Sequence, residues 1–202
     1  MINGEFIKFG QEGILYKYRD NTILKVFYKD NYPFSCDKGY SKKLAENEFN
    51  NMFRAFELGL NVPEPYEILT ITLDYEDLKK VKNRDLAKFL AGEERFAIKR
   101  EFIPGKTLYE RLFPSKKIKQ KIRELHDKIE EAGLVNIDIK ANNYVFTPEK
   151  EVYIIDCQYL IPKDHIVAKI NLDWKIKNIP TCKVEEWIEI VRETLKLEDT
   201  LF

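Results

Sequence analysis

The chain has 202 residues, 44% of them apolar and 13% aromatic, enough to bury a core and to exclude wholesale disorder. Its 34 basic and 34 acidic side chains cancel, which argues against a general nucleic-acid binder, because phosphate contacts need a basic surplus. No apolar run is long enough to cross a bilayer, Met1–Phe6 lacks the basic-then-apolar order of a secretion signal, and three scattered cysteines exclude a disulfide framework or zinc ribbon. The expected setting is cytoplasmic and reducing, with no membrane.

In chain order, Phe6–Phe9, Ile14–Tyr18 and Thr22–Tyr28 are short apolar runs separated by Gly10-Gln-Glu-Gly13 and Arg19-Asp-Asn21. They predict three antiparallel strands joined by tight turns. Tyr28–Tyr40 reads as an irregular loop. Ser41 is a candidate cap for a helix running to about Leu58, with Leu44, Met52, Ala55 and Phe56 at helical spacing and Gly59 as its stop. Glu48 falls on that helix's buried stripe, where an acid needs a partner. Tyr66–Leu73 and Arg95–Ile103 predict two further strands. The charged stretch between them, about 74–94, predicts an insert of one helix or two short ones.

Pro104-Gly105 ends the strand-rich part. Thr107-Leu-Tyr-Glu110 matches a capping box for a short helix. A longer helix begins after Pro114-Ser115, carries Ile118, Ile122, Leu125 and Ile129 at i, i+4, i+7 and i+11, and closes at Gly133. Tyr144–Phe146 and Val152–Ile155, separated by Thr147-Pro-Glu-Lys150, read as a hairpin. A last helix is expected over about Val184–Lys196. The simplest reading is an α+β chain of two lobes, 1–103 strand-rich and 104–202 helix-rich, with a cleft between them.

The chemistry-bearing stretch is Val135–Phe146 followed by Val152–Gln158. Asp138, Lys140 and Asn143 share one loop, and Asp156 ends an apolar strand in hairpin with the segment leaving Asn143. An acid, a lysine, an amide and a second acid can therefore converge at one end of that hairpin. Carboxylate and amide oxygens suit Mg2+, which prefers hard oxygen ligands together with substrate phosphates. Asn143 and Asp156 are the candidate metal ligands. Asp138 is then left to orient and deprotonate a hydroxyl.

This pattern resembles the protein-kinase-like superfamily. Asp138-Ile-Lys-Ala-Asn-Asn143 matches D-[LI]-K-x-x-N, Leu125–Asp138 looks like the segment leading into the catalytic loop, and Asp156-Cys-Gln158 stands where the family has DFG. Gly10-Gln-Glu-Gly13 resembles a shortened glycine-rich loop. Lys25 matches the third-strand lysine, Glu48 the helix acid that pairs with it, and Arg100–Gly105 the hinge, with Glu101 and Ile103 beside the adenine. The resemblance covers roughly residues 5–160. Singly, each feature has an ordinary reading: a turn glycine, a strand lysine, a solvated helix acid, a turn-capping aspartate. What carries the likeness is six features in one order.

The likeness implies a bilobal α+β fold with a strand-rich N-lobe and a truncated helical C-lobe. It implies ATP between the lobes, with backbone groups near Gly10 and Gly13 over its phosphates. Lys25, held by Glu48, would contact the phosphates; Asn143 and Asp156 would hold Mg2+ or Mn2+; Asp138 would be the base; Lys140 would stabilise the transferred group. The chain departs from the family at several points. Its catalytic-loop His-Arg is Asn136-Ile137, the residues after the metal acid are Cys157-Gln158, and Arg100 replaces an apolar residue behind the adenine. There is no A-P-E match, and only 46 residues follow Asp156. In that brevity the chain resembles the minimal atypical kinases: the RIO group and the small kinase of the tRNA threonylcarbamoyl-adenosine complex.

The resulting expectation is an ATP- and Mg2+-dependent phosphotransferase of serine/threonine protein-kinase type, with an unknown acceptor and room for a protein partner. Its rivals are a small-molecule kinase, an ATPase switch and a partner-binding pseudokinase. His126, His165, Trp174, Trp187 and Cys157 are expected to be structural, with no catalytic role.

Overall fold

The turn-separated alternation at the start of the chain folds as expected into three strands: β1 (Gly4–Phe9), β2 (Gly13–Tyr18) and β3 (Thr22–Phe27). The structure is a computed structural model that describes residues 4–9, 13–18, 20–28, 40–81, 84–110, 115–136 and 138–164. Gly10, residues 29–39, Ile137, Cys36, Cys182, His165, Trp174, Trp187 and the helix expected at Val184–Lys196 lie outside the described residues. Contacts divide the chain into two units, Met1–Asn50 with Glu64–Phe102, and Asn51–Pro63 with Ile103–Phe202.

In the first unit, β4 (Pro65–Thr72) and β5 (Glu94–Glu101) complete a five-stranded antiparallel sheet in the order β1-β2-β3-β5-β4. The central strand β3 is buried along its whole length. Strand side chains alternate between faces. Leu24 and Val26 therefore enter one core with Ile14 and Tyr16, and Lys25 takes the opposite face.

The stretch between β4 and β5 covers that core. Leu78, Val81, Ala87 and Leu90 pack into it, and the Tyr16 hydroxyl donates to the Asp77 carbonyl at 3.2 Å. Among its described residues only Arg84–Leu90 (α2) is helical. Residues 75–80 form turns, because Asp74 and Asp77 each accept the other's backbone N–H at 2.8 and 3.0 Å. Short acidic side chains that bond nearby backbone in this way compete with helix formation.

Helix α1 (Tyr40–Glu57) contributes residues to both units. Ser41 lies inside its first turn rather than before it. The buried stripe is Ser41, Ala45, Glu48, Met52 and Ala55, whereas Phe56 is exposed. Polar and alanine residues make up most of that stripe, so a search for large apolar residues displaces it by one position.

In the second unit, Ser115 caps α3 (Lys116–Glu131), its Oγ accepting the Ile118 N–H at 3.4 Å. Ile118, Ile122, Leu125 and Ile129 are its buried face. Thr107 and Glu110 exchange the two capping-box hydrogen bonds, at 2.7 and 3.4 Å, around a single 3-10 turn, Leu108–Glu110. The expected hairpin is present as β8 (Tyr144–Phe146) and β9 (Val152–Ile154), joined by β6 (Lys106–Thr107) in the order β6-β8-β9. Gly105 enters β6 at φ +151°, where a Cβ would lie 2.4 Å from the Phe146 carbonyl oxygen; only glycine fits that approach. A second small sheet pairs β7 (Leu134–Asn136) with β10 (Leu160–Pro162), setting Asn136 opposite Leu160.

Candidate functional site

The residues singled out from the sequence fall into two sets, one in each unit. In the first unit, Lys25 is carried by β3 and Glu48 by α1, 23 residues apart in sequence. Lys25 Nζ meets Glu48 Oε2 at 2.5 Å. Glu48 is fully buried and Lys25 is 8% exposed. The ammonium also lies 5.1 Å from the Phe27 ring centroid. A charge interrupting a fully buried strand needs such compensation.

Gly13 starts β2 opposite Phe27, and a Cβ there would lie 2.2 Å from the Val26 carbonyl oxygen. Strand packing alone thus accounts for its missing side chain. Glu101 ends β5, donating its N–H to the Glu64 carbonyl at 2.9 Å and accepting the Glu64 N–H on Oε2 at 3.2 Å. Arg100, one residue earlier, is buried. Ile103 is buried within the second unit.

In the second unit, Asp138, Lys140 and Asn143 form one hydrogen-bonded group. Asn143 sits in the 3-10 turn Ala141–Asn143. Its Nδ2 donates to the Asp138 carbonyl at 3.0 Å and to Asp138 Oδ2 at 2.9 Å. Lys140 Nζ lies 2.9 Å from Asp138 Oδ1 and 3.1 Å from Oδ2, with most of the lysine side chain exposed. Asp138 is 6% exposed, and its carboxylate is clamped from two directions.

Asp156 is reached through the backbone: the Ile155 N–H donates to the Asn143 carbonyl at 2.8 Å, which sets the two candidate metal ligands on adjoining segments. Asp156 Oδ1 accepts the Gln158 N–H at 3.4 Å, and Asn51 Nδ2 donates to the Gln158 carbonyl at 2.9 Å. With Nδ2 of Asn143 spent twice on Asp138, its Oδ1 is the atom left to bind. One amide oxygen and one carboxylate suit a hard divalent cation that completes its shell with waters and phosphates. Among the described residues there is no cluster of three His, Cys, Asp or Glu side chains, so a self-contained protein cage for a metal is not part of this set.

Behind Asp138 lies a group that motif matching missed as a unit. Asn136 Oδ1 accepts the Asp138 N–H at 3.1 Å, and Asn136 Nδ2 donates to the Tyr144 hydroxyl at 3.2 Å. That hydroxyl meets His126 Nε2 at 2.7 Å. All three side chains are buried. Burial pushes the His126 imidazole down to about 4 and pushes the Tyr144 phenol up, so both are neutral at physiological pH. The one sequence signal was an asparagine two residues before an aspartate, a spacing at which its side chain can accept a backbone N–H. Cys157 is buried, its thiol 3.9 Å from the Ile154 carbonyl.

A family model described as RIO domain matches residues 15–194. The chain belongs to the RIO family, a group of atypical protein kinases. Among solved structures, a co-crystal of WbdD with a kinase inhibitor superposes with a TM-score of 0.55 at 12% identity, over 96% of this chain and 41% of that one. The chain thus spans less than half of that protein's length, and at this identity the likeness speaks for the fold. That fold is α+β and protein-kinase-like: a strand-rich first unit, and a second unit holding α3 and two small sheets. No curated protein matches the chain.

Proposed function

We propose that this RIO-family chain is an ATP-dependent phosphotransferase of minimal atypical type that passes the γ-phosphoryl group to a hydroxyl acceptor. The observation that carries the reading is the clamped Asp138 carboxylate, with Asn143 bonded to it and the Asp156 segment bonded to Asn143. Asp138 is the base that orients the acceptor hydroxyl and takes its proton. Asn143 Oδ1 and the Asp156 carboxylate are the ligands for Mg2+ or Mn2+. What a divalent cation supplies in such a set is charge neutralisation on the phosphate oxygens.

Lys140 is paired with Asp138. Its exposed ammonium is free to swing on a flexible stem toward a transferring phosphoryl group. In the first unit, Lys25, held by Glu48, is the contact for the nucleotide's α- and β-phosphates. Gly10 and Gly13 are the candidates to cover the phosphates with backbone groups, and Glu101 and Ile103 are the candidates beside the base. Catalysis on this reading is positioning and charge stabilisation, with no covalent intermediate. A serine or threonine hydroxyl of a protein is the acceptor proposed, in a cytoplasmic setting; no helix among the described residues is long and apolar enough to cross a membrane.

The test is incubation with γ-labelled ATP and Mg2+, scoring self-labelling, free phosphate and transfer to a cell extract separately. Asp138→Asn should keep ATP binding and lower transfer by about 10²–10⁴-fold, the usual contribution of a positioned base. Free phosphate without any labelled acceptor would make the chain an ATPase switch. ATP binding without turnover would make it a pseudokinase, and wild-type turnover in Asp138→Asn would remove Asp138 from the role of base.

A further inference from the structure

The loop that carries Asp138 has a buried support of its own. Asn136 leaves β7, Tyr144 opens β8 and His126 belongs to α3. Three elements therefore meet at one buried chain of hydrogen bonds ending on the Asp138 backbone. The chain has a direction. The Asp138 N–H donates to Asn136 Oδ1, and Asn136 Nδ2 donates to the Tyr144 oxygen. The Tyr144 hydroxyl and His126 Nε2 lie 2.7 Å apart; a phenol that accepts from Asn136 and donates to this nitrogen pairs with a neutral imidazole. Burial that holds the imidazole neutral agrees with this polarity.

A buried polar group is costly unless it is satisfied, and a satisfied network rigidifies what it touches. Asn136 and Tyr144 are 0% exposed and His126 is 1% exposed. An apolar core would fill the same space without three polar side chains. What these three add is a fixed direction for the Asn136 amide, and through it a fixed place for the Asp138 N–H. Asp138 is held on its other side by Asn143 and Lys140. Its backbone is anchored by one group and its carboxylate by two others.

We propose that Asn136 is a positioning residue for Asp138, aimed by the buried Tyr144–His126 pair. The inference rests on Asp138 being the base. Asn136 and Tyr144 touch neither acceptor nor nucleotide on this reading, so their loss should act on turnover and spare nucleotide affinity.

The experiment uses the full chain and three variants: Asn136→Ala, Tyr144→Phe and their double. Tyr144→Phe keeps the ring and removes only the bridging hydroxyl. Each single variant should lower kcat about tenfold and leave KM for ATP within about twofold, since small misplacements of a reacting group are amplified in rate. The double variant should be no slower than Asn136→Ala, because both act through one chain of bonds. Hydrogen exchange of the Asp138 backbone N–H, followed by NMR, should be at least about tenfold faster in both singles, while the Ile154 N–H, bonded to the Asn61 carbonyl, is unchanged. An additive loss in the double variant, a rise in KM in place of a fall in kcat, or unchanged kcat in Tyr144→Phe overturns the proposal. The exchange measurement needs no catalysis: if the wild type transfers no phosphoryl group, the functional reading fails, and an unchanged Asp138 exchange rate still overturns the positioning role separately.

Discussion

Replacing one member of the Lys25–Glu48 pair should cost far more than replacing both. The two charges touch at 2.5 Å, with the acid fully buried and the lysine 8% exposed. At the effective dielectric of about 20 that suits such sites, unit charges whose centres lie about 4 Å apart attract by about 4 kcal/mol. Desolvating both ions costs a comparable amount, so the net worth of the intact pair is small. Removing one partner forfeits the attraction and takes from the other ion the compensation that this pair supplies. Lys25→Met and Glu48→Leu should each destabilise the chain by about 3–5 kcal/mol, and the double variant should return to within about 1–2 kcal/mol of wild type. The exposed Lys79–Glu76 pair, on the same chain with 61% and 54% of its side chains accessible, is the internal control, and its loss should cost less than about 1 kcal/mol. Urea unfolding followed by circular dichroism gives the four midpoints at a common slope. Single variants that lose under about 1 kcal/mol, or a double variant equal to their sum, would refute the claim that burial makes this pair interdependent.

The other predictions concern metal, acid and backbone. Titration calorimetry should show ATP binding that tightens with Mg2+ in the wild type and is metal-independent in Asp156→Ala; equal wild-type affinity with and without metal would remove Asn143 and Asp156 as ligands. His126 gains its proton near pH 6.5 when unfolded and only near 4 when folded. The unfolded state thus binds more protons between those values, and stability is lost as pH falls through that window. The His126 share of the loss from pH 7 to pH 5 is about 2 kcal/mol, and His126→Gln, which keeps an acceptor for Tyr144, should shrink the pH dependence of the unfolding free energy from urea titrations by that amount. Gly105→Ala should destabilise by about 2 kcal/mol or more, because both the φ of +151° and the Phe146 carbonyl oppose a side chain; a midpoint equal to wild type would mean that β6 moves freely.

Local physics made much of the chain legible from its residues alone. Alternation between turn residues marked β1 to β5, and the four isoleucine and leucine positions of α3 with Ser115 before them marked that helix, because both signals repeat within a few residues. The spacing of Asp138, Lys140 and Asn143 was readable for the same reason: six consecutive residues of one loop cannot stray far. Tertiary structure decided what local spacing does not encode. β6 and β10 have two and three residues, too few for any period to show, and exist because β8 and β7 offer them partners. The stretch from Asp74 to Leu90 looked helical from its charge and apolar spacing, yet its first half turns on the Asp74–Asp77 exchange, and its purpose, covering Ile14, Tyr16, Leu24 and Val26, depends on strands up to 60 or more residues away, as the Tyr16–Asp77 bond shows. Asn136, Tyr144 and His126 carry no joint pattern along the chain. They become one hydrogen-bonded group only because α3, β7 and β8 close around a space from which water is excluded, where each polar atom must find its partner in the protein.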